Sequence, residues 1–159
     1  MEFQVTITPP SRRYELAADI DPSLDYESLI MEACEILAET DSEFHVAGFG
    51  QHEWPVSVSY DLSTFMEQLP QAIASLRTGS TAEIDFYGQG LERVVSLGPR
   101  GEGVAIRCTS RTGWQPTPEI EQVSYVAAVR MLTGALRDFR TALDLASPGV
   151  ARFLPVLDD

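Results

Sequence analysis

The sequence predicts an α+β fold: a single domain, residues 1–159, in which an antiparallel sheet of five to seven strands carries two or three helices packed on one face. Three observations lead to this prediction. The chain length, 159 residues, suits one hydrophobic core. Some segments place an apolar residue at every second position, as strands do, and others at every third or fourth, as helices do. Short glycine-containing connections then join successive strands, which requires antiparallel neighbours.

The N-terminal third is predicted to hold two strands and a helix. Apolar and polar residues alternate over residues 3–7, as in a half-buried strand. Residues 13–20 are expected to form a second strand, in a hairpin with the first. The helix that follows begins with Asp25 or Ser23 as its N-cap. Its apolar side is formed by Leu29, Ile30, Ala33, Cys34, Leu37 and Ala38.

The middle of the chain is predicted to hold two short strands and a second helix. Residues 44–49 and 54–60 are expected to form the strands, in a second hairpin. Asp61 or Ser63 is the expected N-cap of the helix, and Pro70 is expected to kink or restart it. Helical spacing continues to residue 77 through Leu62, Phe65, Met66, Leu69, Ile73 and Leu76.

Three strands in a meander follow, at residues 82–87, 91–97 and 104–109. Glycine in both connections supplies the positive φ angles of tight turns. A last helix is then expected, with Thr117 as its cap and Pro118 as its first residue. The alternative is that it starts only at Ser124 and that residues 119–123 are extended.

The C-terminal end of the last helix is expected at the Ser-Pro-Gly sequence of residues 147–149. The apolar side chains of residues 153–157 are expected to dock against the core.

The charge of the chain is strongly negative and unevenly distributed. Aspartate and glutamate number 24 against 11 basic residues, all of them arginine, so the net charge is −13. Residues 1–85 hold sixteen acids and three arginines, whereas residues 86–159 hold eight of each. Such a field repels nucleic acid and anionic membranes and attracts basic surfaces. The alternative is that the acidity serves only solubility.

Few residues suggest chemistry. His45 and His52 match no metal-ligand spacing, and neither has a motif partner that would activate a nucleophile. Asp19, Asp21 and Asp25 resemble a calcium loop but lack its glycine and its final glutamate. The sequence therefore predicts no metal, no cofactor and no enzyme activity. The arginines at 93, 107 and 111, taken together with Trp54, Tyr87 and Trp114, would suggest a nucleic-acid platform, but the net charge opposes it.

The expected location is the cytoplasm. The sequence has no apolar stretch of membrane-spanning length and no basic start followed by an apolar run. Cys34 and Cys108 belong to a predicted helix and a predicted strand far apart in the chain, so a disulfide framework is not expected.

The hairpin and helix of residues 44–76, followed by AEIDFYGQG, LERVVSL, GVAIRCT and a final helix with SYVAAVRMLTGAL, resemble small bacterial domains of actinobacterial type. Some of these domains are immunity proteins of polymorphic toxin systems. The resemblance implies a single-domain antidote that binds and blocks a secreted toxin domain. An acidic antidote would suit a basic nuclease or deaminase.

These observations predict a protein-binding module whose partner is a basic protein, for example a nucleic-acid-targeting toxin domain. The module itself is expected to be a monomer or small homo-oligomer. We call the candidate contact residues the acidic surface: Asp19, Asp21, Asp25, Glu32, Glu35, Glu39, Asp41 and Glu43. One alternative function is a structural or assembly subunit that self-associates through a sheet edge or the last helix. A small enzyme of unknown reaction is the third.

Overall fold

The computed structural model describes residues 2–155, and this part of the chain contains six strands and four helices. In chain order these elements are β1 (Gln4–Thr8), α1 (Tyr26–Leu37), β2 (Glu43–Ala47), α2 (Asp61–Arg77), β3 (Ala82–Phe86), β4 (Arg93–Arg100), β5 (Gly103–Ser110), β6 (Ile120–Ser124), α3 (Tyr125–Ala146) and α4 (Pro148–Ala151). The α+β class is confirmed. The prediction of one sheet with five to seven strands is wrong, because the strands divide into an antiparallel pair, β1-β2, and a four-stranded sheet, β3-β4-β5-β6.

Residues 13–20 form no strand, which corrects the first predicted hairpin. Glu15 has a φ of 53°, which a strand cannot accommodate. The amides of Tyr14 and Leu16 instead donate to the carbonyls of Leu145 and Ala146, at 2.8 and 2.7 Å. These carbonyls lie at the C-terminal end of α3, where helical acceptors lack internal donors. The segment thus caps a distant helix, and β1 pairs with β2.

Residues 54–60 also form no strand. The amide of Trp54 donates to the carbonyl of Val46 in β2 at 2.8 Å, and the chain then turns towards α2. The Trp54 side chain is buried at the centre of an aromatic cluster. Its ring lies 5.7 to 6.4 Å from the rings of Phe3, Phe49, Phe86 and Trp114. The segment is therefore a core anchor rather than half of a hairpin.

Helix α2 is one continuous helix through Pro70, so the restart expected as one possibility at this residue does not occur. Its N-terminus also differs from the prediction, because the N-cap is Tyr60 and makes no side-chain capping bond. The carboxylate of Asp61 accepts from the amide of Ser57 at 2.8 Å, and the Ser57 hydroxyl accepts from the amide of Asp61 at 3.3 Å. Ser57, which lies four residues before Asp61, therefore takes the place of an N-cap side chain at the start of α2.

The predicted meander is confirmed, and β6 extends it by a fourth strand. Buried residues on β3 to β6 alternate with exposed or half-buried ones, so the helices cover one face of this sheet. Helix α2 packs against β3 and β4, and α3 packs against β5 and β6. Helix α3 begins after Ser124, whose hydroxyl accepts from the amide of Ala127 at 3.0 Å. The start at Pro118 is therefore wrong and the alternative is confirmed.

A buried carboxylate joins the two sheets. Glu121 of β6 accepts from the amide of Phe3 at 2.7 Å and from the amide of Phe49 at 3.4 Å. Buried apolar side chains from all the elements except β6 form one continuous cluster beneath this link. At the C-terminal end Leu154 is buried in that cluster, whereas residues 156 and 157 of the predicted docking tail lie outside the described residues.

Candidate partner-binding surface

Helix α1 places the central acids of the acidic surface. The predicted apolar side is buried against α2 and α3, except that Ala38, which caps the helix C-terminus, is exposed. Glu32 and Glu35 of α1, and Glu39 in the turn that follows it, are spaced three and four residues apart and are all exposed. The amphipathic spacing that buries one side of the helix therefore presents a row of carboxylates to solvent.

The N-terminal end of α1 holds two carboxylates in fixed positions. Asp25 is the N-cap, and its carboxylate accepts from the amide of Ser28 at 2.8 Å. Asp21 accepts from the amide and the hydroxyl of Ser23, at 2.9 and 2.7 Å. Bonds from these backbone amides hold the pKa of Asp21 and of Asp25 below the usual range. Both carboxylates are thus ionised at neutral pH, and Asp19 lies exposed just before them.

The C-terminal end of α1 leads into two further carboxylates. Asp41 accepts from the amide of Ser11 and from the hydroxyl of Tyr14, both at 3.1 Å. The bonds from Ser11 lower the pKa of Asp41. Glu43, the first residue of β2, is exposed. The guanidinium of Arg12 stacks on the Tyr14 ring at 3.7 Å, so one cation lies beside this end of the acidic surface.

All eight residues of the acidic surface are exposed. The three ion pairs among the described residues lie elsewhere: Arg107 with Glu119, Arg111 with Asp85, and Arg137 with Asp138. The twelve residues of α1 span roughly 18 Å, with acids at both ends and along the solvent side. The structure therefore presents unneutralised carboxylates along one helix and its two flanking turns.

Sequence reasoning missed a buried cation. Arg93 of β4 is only 3% exposed, and its guanidinium lies 3.5 Å from the ring centre of Trp114 and 4.5 Å from that of Trp54. It donates to the side-chain oxygen of Gln51 at 2.7 Å, while its Nε has no partner among the described residues. Burial lowers the pKa of Arg93. The only sequence signal is that residue 93 occupies an inward position in the alternation of β4.

The arginines at 93, 107 and 111 therefore form no basic platform, because the first is buried and the other two are paired with carboxylates.

Sequence reasoning also missed an exposed aromatic pair. Tyr60 and Tyr87 meet edge to face at 6.4 Å, and the Tyr87 hydroxyl donates to the Glu67 carboxylate. That bond, the largest cause, raises the pKa of Tyr87 to about 12.

The groups most often used in catalysis and metal binding are scattered. Within residues 2–155, no three His, Cys, Asp or Glu side chains converge as metal ligands. His45 is half-buried on β2, and His52 is exposed in the following loop. Cys34 and Cys108 are buried free thiols, and burial raises the pKa of Cys34 and, to about 11, that of Cys108. Neither thiol is poised to act as a nucleophile.

Over the same residues, none of the helices has both the length and the apolar character needed to cross a lipid bilayer. Comparison of the chain with protein-family models, with curated proteins and with solved structures found no match.

Proposed function

We propose that the chain is an acidic protein-binding module, and that its most specific form is an immunity-type inhibitor which binds and neutralises a basic toxin domain. The observation that carries the proposal is the exposure of all eight residues of the acidic surface, none of which forms an ion pair within residues 2–155. Unneutralised carboxylates on one helix attract a cationic protein and accelerate its association.

The dipole of α1 strengthens the field at one end. The C-terminal end of a helix carries partial negative charge, and the last turn of α1 contains no basic residue to offset it. Glu39, Asp41 and Glu43 follow directly, so helix and side chains add potential of the same sign. A toxin domain that acts on nucleic acid presents positive surface of its own and therefore suits this field.

The alternative is a subunit that self-associates through a sheet edge. Strand β3 lies at one edge of the four-stranded sheet, and the structure disfavours self-association through this strand. Gln68 of α2 donates to the carbonyl of Asp85 and accepts from its amide, each at 2.8 Å. The side-chain amide thereby occupies backbone groups that an added strand would need. Sedimentation of the purified chain tests this alternative, since a self-associating subunit would show a mass that rises with concentration.

The test compares two triple variants that remove the same charge. The first, Glu32→Gln, Glu35→Gln and Glu39→Gln, alters the acidic surface. The matched control changes three exposed glutamates elsewhere: Glu53→Gln, Glu83→Gln and Glu102→Gln. We expect the partner recovered from the source cells to be basic and its association rate to fall about tenfold with the first variant and far less with the control. Raising the salt concentration should slow the wild type towards the rate of the first variant.

Three outcomes would contradict the proposal: a neutral or acidic partner, equal effects of the two variants, or association that is insensitive to salt. The inhibitor form has a separate measurement. The wild-type chain should block the activity of the recovered toxin domain at one-to-one stoichiometry. If the partner binds but keeps its activity, the inhibitor form of the proposal is wrong and only the proposal of a protein-binding module stands.

A further inference from the structure

We propose that a cavity between α1, α2 and α3 binds an amphipathic anion, a medium-chain carboxylate or a molecule of the same chemistry. The cavity has a volume of about 330 Å³, near the lower end of the range for small-molecule sites. This site is separate from the acidic surface and does not depend on the function proposed above. Its apolar walls are formed by Ile30, Met66, Leu136, Phe139 and Leu154.

Two hydroxyl groups line the cavity, and each already donates its hydrogen bond to a backbone carbonyl. The hydroxyl of Tyr26 donates to the carbonyl of Met66 at 3.2 Å, and that of Thr133 donates to the carbonyl of Val129 at 2.8 Å. These groups fix the walls and contribute little attraction for a ligand. The charged groups of the cavity therefore decide which ligand it favours.

Both charged lining residues are arginines, in a chain that has few. Arg137 and Arg140 lie one turn apart on α3 and so project to the same side of the helix. Arg140 donates to the carbonyl of Pro155 at 2.6 Å, and Arg137 lies 3.5 Å from the carboxylate of Asp138 in an exposed pair. A guanidinium has several N–H donors, so most remain available.

An anion in the cavity would accept charge-assisted hydrogen bonds from the remaining N–H groups of the two guanidiniums. The apolar walls would bury a hydrocarbon chain attached to that anion. A cationic amphiphile would be repelled, and a neutral one would gain only the apolar contact. The geometry thus selects one anionic head and one short apolar tail.

The test uses the full chain and three probes with the same hydrocarbon length: decanoate, decanol and decyltrimethylammonium. Calorimetric titration below the micelle concentration should show one decanoate per chain, weaker binding of decanol and none of the cation. The variant Arg137→Met with Arg140→Met should bind decanoate at least about tenfold more weakly. The control Arg130→Met removes an exposed arginine from the same helix but outside the cavity, and it should bind as the wild type does.

Leu136→Trp provides a second variant, because it fills the cavity from a half-buried wall position and keeps both arginines. It should abolish binding while the circular dichroism spectrum stays that of the folded chain. Asp158→Asn with Asp159→Asn removes the acidic side chains that follow Pro155 in sequence, and its affinity for decanoate should equal that of the wild type. A tenfold gain there would indicate a site for the chain's own C-terminus and overturn the proposal. Equal affinity for all three probes, or no effect of the arginine pair, would overturn it as well.

Discussion

At the scale of single residues, Glu121 and Arg93 stand out among the three buried charged residues of the described chain, the third of which is Asp61. Glu121 and Arg93 each take their partners from elements far away in the chain. Glu121 bonds to an amide 118 positions away, and Arg93 bonds to a side chain 42 positions away. A buried charge is stable only when its surroundings satisfy it, so the two residues fix how distant segments meet.

Replacing Glu121 by alanine should be strongly destabilising. The change leaves the buried amides of Phe3 and Phe49 without an acceptor, and we expect the free energy of unfolding to fall by about 3 kcal/mol. Glu119→Ala is the control, because Glu119 is an exposed residue in a surface ion pair and its loss should cost less than about 1 kcal/mol. Urea unfolding measures both. Equal losses in the two variants would show that the sheets are not joined through this carboxylate.

At the scale of secondary structure elements, α1 compensates for the proline inside α2. Pro70 has no N–H, so the carbonyl of Met66, four residues earlier, lacks its helical donor. The hydroxyl of Tyr26 on α1 donates to this carbonyl at 3.2 Å. Burial raises the pKa of Tyr26 to about 12, so the hydroxyl keeps its proton at neutral pH. The bond explains why α2 continues through Pro70.

A double-mutant cycle tests this compensation. Tyr26→Phe should destabilise the chain by about 1.5 kcal/mol, because the Met66 carbonyl loses its donor. Pro70→Ala restores the backbone donor, so Tyr26→Phe made in that background should cost about 1 kcal/mol less. Unfolding free energies of the wild type, the two single variants and the double variant give the coupling. A coupling energy of zero would mean that the hydroxyl and the proline act independently.

Local patterns predicted the elements whose causes are local. Helices α1 and α2 and the meander follow from apolar spacing and glycine turns, and the exposed row of glutamates on α1 follows from the same spacing. Residues 13–20 and 54–60 were misassigned because their hydrogen bonds go to α3 and to β2. The partners of Glu121 and Arg93 also lie far away in the sequence, so no pattern within β6 or β4 could have predicted them.

At the scale of the whole molecule, the net charge of −13 belongs to one part of the fold. Residues 1–85, which hold sixteen acids and three arginines, form the β1-β2 sheet, helices α1 and α2, and most of β3. Residues 86–159 are electrically balanced, and the part of them that the structure describes forms the last residue of β3, strands β4 to β6, α3 and α4. The described ion pairs all include an arginine from that half.

This uneven distribution of charge determines how the protein should respond to acid. Hydrogen bonds from Ser23, Ser28 and Ser11 lower the pKa of Asp21, Asp25 and Asp41, all within the first 41 residues. A carboxyl whose pKa is lower in the folded than in the unfolded chain contributes stability above its unfolded value, 3.8 here. That stability is lost as the pH falls through the lower folded value. Unfolding therefore becomes easier below about pH 4.

The variant Asp25→Asn isolates one of these contributions. Asparagine still offers an oxygen to the amide of Ser28 as an N-cap, but it cannot be protonated in this range. We expect its stability near neutral pH to stay close to that of the wild type and its decline with acid to be less steep. Urea unfolding at a series of pH values between about 5 and 2 measures the two slopes. Ser28→Ala keeps the backbone amide that bonds Asp25 but removes the hydroxyl that also lowers the pKa of Asp25, so its slope should lie between those of the wild type and of Asp25→Asn. If Asp25→Asn and the wild type lost stability in parallel, the cap would not be a source of the acid response.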